Sequence, residues 1–330
     1  MLEIARGGII RRGLGFDNCD VGVLLNVDED HIGMDGVEDL EELSLVKATV
    51  IEVVKDTGVS VLNADDPTVV GLRDRAGGQL IYFSLHPENE TVTHHLSAGG
   101  TAVVLQNSNI VIHSPKPAVH ILSVLDVPIT MSGVATFNIA NVLAAVAALH
   151  GLGMSVDIIR NGIGSFHPSA SQNPGRMNLI DFITFKVMVD YGHNIPAVKA
   201  LGKTLPHITK GRKIVVAHGT GNRTDKDIKA FGAALSQVYD HIIIADADPR
   251  QRTYGETSEL VQSGTFDNGN GDKQVEIIND PSAALAHAFS IVQPGDLIVV
   301  QVDEVDLMLQ RVMEYFERIV GTAAIPTARQ

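Results

Sequence analysis

Polar side chains cluster where an apolar segment near the N-terminus ends. Residues 22–27 read as a buried strand, and an acidic run closed by His31 follows directly. Ligands in open α/β sheets bind beyond the carboxyl ends of strands. The Glu3 carboxylate and the His31 imidazole could therefore hold Mg²⁺ near a nucleotide. Taken alone, each of these residues is more often a cap, a turn former or a surface charge than a metal ligand.

Lys47 interrupts a helix that is otherwise amphipathic. Apolar residues recur in this helix at helical spacing, namely Leu40, Leu43, Val46, Val50, Ile51 and Val54. Residue types alone favour a solvated lysine that complements the acidic start of the helix. Addition of CO₂ to the amine would instead create an oxygen-bearing anion that could hold a second cation.

Several strands in the second half of the chain also end in polar groups. The tract from His218 to Asp225 lies between a strand and a helix, so its glycines and the helix N-terminus could approach an anion, with Arg223 adding charge. An ordinary turn explains this tract about as well. Residues 190–194 and 246–250 end two further strands. Convergence of these strand ends on one edge favours a ligand site.

The order of predicted elements sets the fold class. Strands alternate with helices through most of the chain, which predicts an α/β fold with two mostly parallel sheets. The Pro, Ser and Gly content of residues 166–175 indicates a linker. We therefore predict one domain over residues 1–175 and another over residues 176–330. Short β-rich runs between about 92 and 129 predict hairpins inserted into the first domain.

Composition limits the partners and the compartment. The 330 residues include 25 basic and 39 acidic side chains, for a formal net charge of −14. Such a charge disfavours binding to nucleic acid or to anionic membranes. The single cysteine, Cys19, cannot form an intramolecular disulfide, and no apolar run reaches the roughly 18 residues that span a bilayer. The sequence thus predicts a soluble cytoplasmic protein.

Eight segments, taken in order, resemble the motifs of the Mur ligase family. They are Glu3–Ile9, Asn26–His31, Lys47, Leu62–Pro67, Phe137–Ala145, Asn173–Met177, Asp190–Asn194 and Gly295–Val300. Within that family, residues 5–9 and 14–17 look most like the Mur-like region of cyanophycin synthetases. The resemblance implies a central nucleotide-binding domain without its first phosphate-loop unit, followed by a Rossmann-like C-terminal domain.

The resemblance also implies an activity. Mur-like ligases use ATP to convert a carboxylate into an acyl phosphate, which an amine then attacks. The implied cofactors are ATP and Mg²⁺ at two sites, and the implied substrates are an amino acid, arginine, and the side-chain carboxylates of a poly-aspartate chain. A homo-oligomer or association with an N-terminal part is expected. The alternatives are a non-catalytic nucleotide- or polymer-binding module and a folylpolyglutamate synthase-like ligase.

Individual residues receive roles from the same resemblance. The implied metal ligands are Glu3, His31 and Lys47 in carbamylated form. The implied nucleotide-binding residues are Asn138, Asn141, Arg176 and Asp190. The implied substrate-binding residues are Asn222, Asp225, Asp248 and Arg250. The implied catalytic residues are Lys47, His193 and Arg223.

Two departures from the family pattern lead to further expectations. The family places a Gly-Lys-Thr phosphate loop before the glutamate that matches Glu3, whereas only two residues precede Glu3 in this chain. We therefore expect a fragment with weak or no activity on its own. Ile195 separates Asn194 from the proline that follows directly in the family motif. This insertion predicts a reshaped turn.

Overall fold

The computed structural model describes residues 1–28, 32–33, 35–247, 249–266, 273–301 and 303–321. The chain folds into two compact units, and the division between them follows Phe166. Each unit contains a six-stranded sheet with helices packed against it. The predicted α/β class with two mostly parallel sheets is therefore confirmed. Among the described helices, none combines the length and the apolar character that crossing a bilayer requires.

The first unit alternates helices and strands. Its elements are α1 (Arg6–Arg12), β1 (Cys19–Leu24), α2 (Leu40–Glu52), β2 (Val54–Asn63), α3 (Pro67–Gly71), β3 (Gln79–Ser84), α4 (Glu90–Ser97), β4 (Thr101–Gln106), β5 (Asn109–His113), β6 (Val119–Ser123), α5 (Thr136–Gly151) and α6 (Val156–Ser165). The strands lie in the order β1-β2-β3-β4-β5-β6. Strands β1 to β4 are parallel, and β5 and β6 continue the sheet in antiparallel pairing. The carboxyl ends of β1, β2 and β3 therefore share one edge.

The segment predicted to form hairpins, residues 92–129, does so only from Thr101 onward. Its first residues belong to α4, where the Asn89 side chain accepts hydrogen bonds from the backbone N–H groups of Thr91 and Val92. This cap starts helix α4, which the sequence analysis did not predict because the residues that follow it are rich in β-forming types. Strand β4 also pairs in parallel with β3, so the hairpins extend the main sheet.

Helix α2 brings Lys47 to the first sheet. The helix begins after Asp39, whose carboxylate accepts a hydrogen bond from the Glu42 backbone N–H. Leu43 and Ile51 are fully buried against the core that covers this face of the sheet. Burial of each such side chain contributes about 1.5–3 kcal/mol, which fixes the rotation of the helix about its axis.

The second unit is also built from alternating elements. They are β7 (Asn178–Asp181), β8 (Lys186–Val189), α7 (Ile195–Ile208), β9 (Lys213–His218), α8 (Asp225–Val238), β10 (His241–Ala245), α9 (Glu256–Phe266), β11 (Gln274–Ile277), α10 (Pro281–Ile291), β12 (Leu297–Gln301) and α11 (Val305–Val320). The strand order is β11-β10-β9-β12-β8-β7. Only β7 is antiparallel to its neighbour among these described strands. Strand β12 thus returns to lie between β8 and β9.

Helices α8 and α9 pack closely because each contributes a glycine to the contact. A Cβ atom on Gly232 would lie 2.0 Å from the Val261 carbonyl oxygen, and one on Gly264 would lie 1.9 Å from the Lys229 carbonyl oxygen. Both distances are far below van der Waals contact, so neither position has room for a side chain. The packing fixes the start of α8, where the loop after β9 ends.

We expect Gly264→Ala to destabilise the second unit. The added methyl group must push α8 and α9 apart, and such overpacking costs about 1–3 kcal/mol of the free energy of unfolding. The measurement is urea unfolding followed by circular dichroism. The matched control is Gly162→Ala in α6, where a Cβ meets nothing within 4 Å. That control should gain up to about 1 kcal/mol from helix propensity, and equal effects of the two changes would contradict the packing argument.

Candidate active site

The Asp66 carboxylate joins the ends of β1 and β2 in the first unit. Its Oδ2 atom accepts a hydrogen bond of 2.8 Å from the Val27 backbone N–H. Its Oδ1 atom accepts bonds from the N–H groups of Thr68 at 2.8 Å and Val69 at 3.1 Å, which caps α3. Asp66 therefore caps α3 and also holds the loop that follows β1.

Lys47 lies at this same edge. Its side chain is partly buried, and Nζ donates a hydrogen bond of 3.3 Å to the Asn26 carbonyl oxygen. The amine is therefore placed at the carboxyl end of β1, which is where strand-end reasoning puts a ligand. His31 and Asp248, to which the sequence assigns metal and substrate roles, lie outside the described residues.

Glu3 is exposed in the segment that leads into α1. Two arginines of that helix bind one carboxylate, since the Nη2 atoms of Arg6 and Arg11 each lie 2.9 Å from an oxygen of Asp35. The Arg6 side chain is only 8% exposed. These ion pairs tie the segment that carries Glu3 to the chain that follows β1.

Asn138 and Asn141 lie on the first turns of α5 and contact each other. The Asn138 Nδ2 atom donates to the Ile129 carbonyl oxygen at 2.9 Å, and Oδ1 accepts from Asn141 Nδ2 at 3.4 Å. Asn138 is buried, whereas Asn141 is exposed. Asn138 thus anchors the turn before the helix, a contact that sequence reasoning missed, while Asn141 presents its side chain to solvent.

The second unit brings Arg176 and Asp190 together at the end of β8. Asp190 accepts hydrogen bonds from the backbone N–H groups of Met177 at 2.9 Å and Gly192 at 2.8 Å. The Arg176 guanidinium lies over the Tyr191 ring, 5.2 Å from its centroid. Burial raises the pKa of Asp190, although these N–H groups and Arg176 oppose the rise.

The residues after Asp190 form a tight turn and then a helix. A Cβ atom on Gly192 would lie 2.7 Å from Asp190 Oδ1 and 2.8 Å from Ala197 Cβ, so the turn requires glycine. Asn194 caps α7 by accepting a hydrogen bond of 3.0 Å from the Ala197 N–H. Ile195 and the proline after it form the first turn of that helix. The inserted isoleucine is therefore absorbed at the helix start.

His193 faces a carboxylate that sequence reasoning missed. Its Nδ1 atom lies 2.9 Å from the Tyr191 carbonyl oxygen and 3.4 Å from Asp303 Oδ1. Because a carbonyl oxygen can only accept, Nδ1 carries the proton and Nε2 has a free lone pair. Burial lowers the pKa of His193, and Asp303 only partly opposes this effect.

His218, fully buried at the end of β9, fixes the position of Asp303. Its Nε2 atom accepts a hydrogen bond of 3.1 Å from the Asp303 backbone N–H, and its Nδ1 atom donates to the Gly219 carbonyl oxygen at 3.0 Å. Helix α11 begins at Val305, so Asp303 lies before the helix and follows the carboxyl end of β12. The strand-end rule could have found it.

Arg252 holds the loop that follows β9. Its guanidinium donates to the carbonyl oxygens of Gly221 at 3.1 Å and Arg223 at 2.8 Å. It also pairs with Asp225 at 2.8 Å and with Glu256 at 2.7 Å. Asp225 is therefore engaged with Arg252, whereas the neighbouring Asn222 is exposed. No local sequence pattern reveals such a brace, because its partners come from both sides of β10.

Asp303 lies beside two imidazoles and within range of the Arg250 guanidinium. Burial would raise the pKa of this carboxyl group, but His218, His193 and Arg250 together lower it. The carboxylate is therefore ionised. Its Oδ1 atom is buried and has no hydrogen-bond partner among the residues that the structure describes.

Three guanidinium groups come to this strand edge. Arg176 lies over Tyr191, Arg223 is close enough to contribute to the lowered pKa of His193, and Arg250 acts on both Tyr191 and Asp303. Arginine presents fixed pairs of donors that match phosphate and carboxylate groups. The arrangement is suited to an anionic ligand that lies beside a neutral imidazole.

Comparison with known proteins agrees with this architecture. The model of the Mur ligase middle domain matches residues 1–149, and the model of the Mur ligase glutamate ligase domain matches residues 175–301. The chain belongs to the Mur ligase family. The two matches together span most of both compact units.

Cyanophycin synthetases are among the relatives of this Mur ligase family member. The protein of that name from Crocosphaera subtropica is 39% identical over 91% of this chain and 34% of its own length. The one from Geminocystis herdmanii is 38% identical over 96% of this chain and 36% of its own length. The chain thus spans about a third of the length of these curated relatives.

Solved structures show the same fold. The structure of E. coli FolC with ADP superposes with a TM-score of 0.65 at 18% identity, covering 91% of this chain and 63% of that one. At this identity the likeness concerns the fold alone.

We expect the His193 imidazole to titrate below about pH 6.5, the ordinary value for histidine, because burial disfavours its charged form. The measurement is an NMR titration of the imidazole C–H signal, assigned with His193→Gln. Asp303→Asn removes a neighbouring carboxylate whose charge favours the imidazolium, so it should lower the midpoint further. A midpoint that rises in Asp303→Asn would contradict the assigned pairing.

Proposed function

We propose that the protein is an ATP-dependent amide ligase that activates a carboxylate as an acyl phosphate and joins an amino acid to it. The observation that carries this proposal is the convergence of Arg176, Arg223 and Arg250 on the strand edge that holds His193 and Asp303, in a chain of the Mur ligase family. Fixed guanidinium groups stabilise the negative charge that develops when phosphate is the leaving group.

His193 is the group best suited to accept a proton in this reaction. The incoming amine must lose a proton to attack the acyl phosphate. His193 is neutral, and the lone pair on Nε2 is available because Nδ1 donates to Tyr191. Asp303, 3.4 Å from Nδ1, stabilises the imidazolium once it forms.

The second unit also offers contacts for the amino acid. Asn222 and Arg250 are exposed on the two loops that follow β9 and β10. Arg252 keeps the first of these loops in place, and Asp225 acts through its pair with that arginine. We assign Asn222 and Arg250 to the carboxylate of the amino acid, with Asp248 of the same loop as a further substrate contact.

The metal and the nucleotide that the family implies are assigned to residues of matching chemistry. Oxygen donors suit Mg²⁺, the Glu3 carboxylate is exposed, and Lys47 Nζ contacts the Asn26 carbonyl oxygen after β1. ATP supplies the phosphoryl group, and Mg²⁺ neutralises its charge. Glu3, His31 and carbamylated Lys47 would hold the metal. In the first unit, Asn138 and Asn141 would contact the nucleotide.

Similarity to cyanophycin synthetases supports a finer assignment of substrates. Identities of 38–39% over more than nine-tenths of this chain exceed those of the murein-ligase relatives, which are 25–28% identical. We therefore assign arginine as the amino acid and the side-chain carboxylates of a poly-aspartate chain as the acceptor.

The assay that tests these substrates measures ATP-dependent transfer of radiolabelled arginine to a poly-aspartate primer, with ADP binding measured in parallel by calorimetry. We expect Mg²⁺-dependent ADP binding and a preference for arginine over lysine or glutamate. Failure to bind ADP would contradict the ligase proposal. Incorporation of glutamate onto folate, with none of arginine, would instead support a folylpolyglutamate synthase-like ligase.

We expect Arg250→Ala to lower kcat/KM for the amino acid about tenfold to a hundredfold, because a charge-assisted hydrogen bond to the substrate carboxylate is worth about 1.5–3 kcal/mol. The measurement is the initial rate of arginine transfer against arginine concentration. The matched control is Arg311→Ala on α11, where the guanidinium pairs only with surface Glu314 among the described contacts. Equal rates for the two variants would remove Arg250 from the site.

Lys47→Arg distinguishes a structural lysine from a carbamylated one. Arginine keeps the positive charge and can still donate to the Asn26 carbonyl oxygen, but it cannot form the carbamate. We expect this change to weaken Mg²⁺-dependent ADP binding about tenfold or more while leaving the unfolding midpoint unchanged. Lys116→Arg, at an exposed position of the same unit, is the control. Wild-type binding in Lys47→Arg would exclude the carbamate.

A further inference from the structure

A second polar cluster lies at the other end of β10 from the loop that carries Arg250. His241 is the first residue of β10, Glu276 lies in β11, and His287 lies in α10. The parallel register pairs His241 with Gln274, so His241 and Glu276 point to the same face of the sheet. Helix α10 packs on that face. Three elements thus contribute one potential metal ligand each.

The three side chains meet around the Glu276 carboxylate. The Nε2 atom of His241 lies 2.6 Å from Oε1, and the Nε2 atom of His287 lies 3.0 Å from Oε2. One ligand atom from each residue lies within 4.8 Å of the other two. Ligand atoms about 2.0–2.2 Å from a tetrahedral ion stand roughly 3.3 Å apart, so the side chains need only small shifts to coordinate.

Each imidazole has one buried ring nitrogen without a hydrogen-bond partner among the described residues, while the Nε2 atom of His241 contacts Glu276. The Nε2 atom of His287 is buried and forms no hydrogen bond within the described part of the chain, although a carboxylate oxygen is 3.0 Å away. Its lone pair or proton therefore points away from that oxygen. The Nδ1 atom of His241, a residue only 4% exposed, is likewise buried without a partner among those residues. Unsatisfied buried polar atoms commonly mark a missing water or ion.

We propose that His241, Glu276 and His287 bind a divalent transition-metal ion, with Zn²⁺ the best match. Two imidazole nitrogens and one carboxylate oxygen are a ligand set that suits Zn²⁺ and does not suit Mg²⁺. The side chains of Glu276 and His287 are 43% and 30% exposed, which leaves a path for the ion and a position for a water ligand. The bound ion would link α10 to β10 and β11.

The site is separate from the ligase chemistry proposed above. Its strand begins with His241, whereas the loop that carries Arg250 follows the last residue of that strand. Metal binding can therefore be measured on the full chain without ATP or amino acid. The result does not depend on whether the protein ligates arginine.

The experiment is a Zn²⁺ titration of the untagged full-length chain in competition with a chromophoric chelator. We expect one ion per chain, and Co²⁺ in its place should give the visible absorption typical of a tetrahedral site. Loss of a ligand in His287→Gln or Glu276→Gln should weaken Zn²⁺ binding about tenfold or more. Both positions are partly exposed, so circular dichroism should show that these variants keep the fold.

The matched control is His207→Gln, which removes an exposed histidine from α7 of the same unit and should bind Zn²⁺ like the wild type. A raised thermal midpoint on addition of Zn²⁺, present in this control and reduced in His287→Gln, is the second readout. Absence of stoichiometric binding overturns the proposal. Equal affinity of wild type and His287→Gln also overturns it, because the ion would then be held elsewhere.

Discussion

The return of β12 to a place between β8 and β9 is the constraint on which the second unit depends. Neighbouring strands lie about 4.8 Å apart, so an edge position for β12 would move its carboxyl end away from one of its partners. In the observed order, Asp303 follows β12 with His193 on one side and His218 on the other. Ligands bind where the strand order reverses in such sheets.

The electrostatics of this edge follow from that placement. A buried carboxylate such as Asp303 is costly unless positive or hydrogen-bonding groups compensate for the lost water. His218 accepts a hydrogen bond from the Asp303 backbone N–H, and His218, His193 and Arg250 together hold the pKa of the Asp303 carboxyl group below its ordinary value. The site therefore keeps one negative group among several positive ones, which can orient an amine and an anion at the same time.

Much of this arrangement could be predicted from the sequence, because strand ends are visible in it. Apolar runs that stop at Asp190 and at His218 marked the edge of the second sheet, and the amphipathic pattern around Lys47 placed the amine on α2. The structure adds that the Arg176 guanidinium lies over the Tyr191 ring, just after the end of β8.

Other features had no signal of that kind. Helix α4 depends on a single cap, Asn89, before a stretch rich in β-forming residues. The Arg252 guanidinium donates hydrogen bonds to backbone carbonyl groups about thirty residues earlier in the chain. The periodicity of apolar residues does not predict contacts between segments so far apart. Asp303 stands between a strand and a helix, and the exact bounds of such elements are the least certain part of any prediction from one sequence.

The two ends of β10 show how one strand can serve two kinds of chemistry. Asp246 follows its carboxyl end. One Asp246 oxygen accepts a hydrogen bond from the Gly255 N–H and the other accepts one from the Thr257 hydroxyl, so the pair fixes the start of α9. It is therefore a structural residue, and the ligand-facing groups of that loop come later in the chain. At the amino end, His241 has a ring nitrogen without a partner among the described residues. A satisfied carboxylate supports the fold, whereas the His287 Nε2 atom, which lies 3.0 Å from a Glu276 oxygen without a hydrogen bond within the described residues, is suited to the proposed ion. Because Mg²⁺ prefers oxygen donors and Zn²⁺ accepts nitrogen, donor chemistry alone would keep the two ions at different places in this chain.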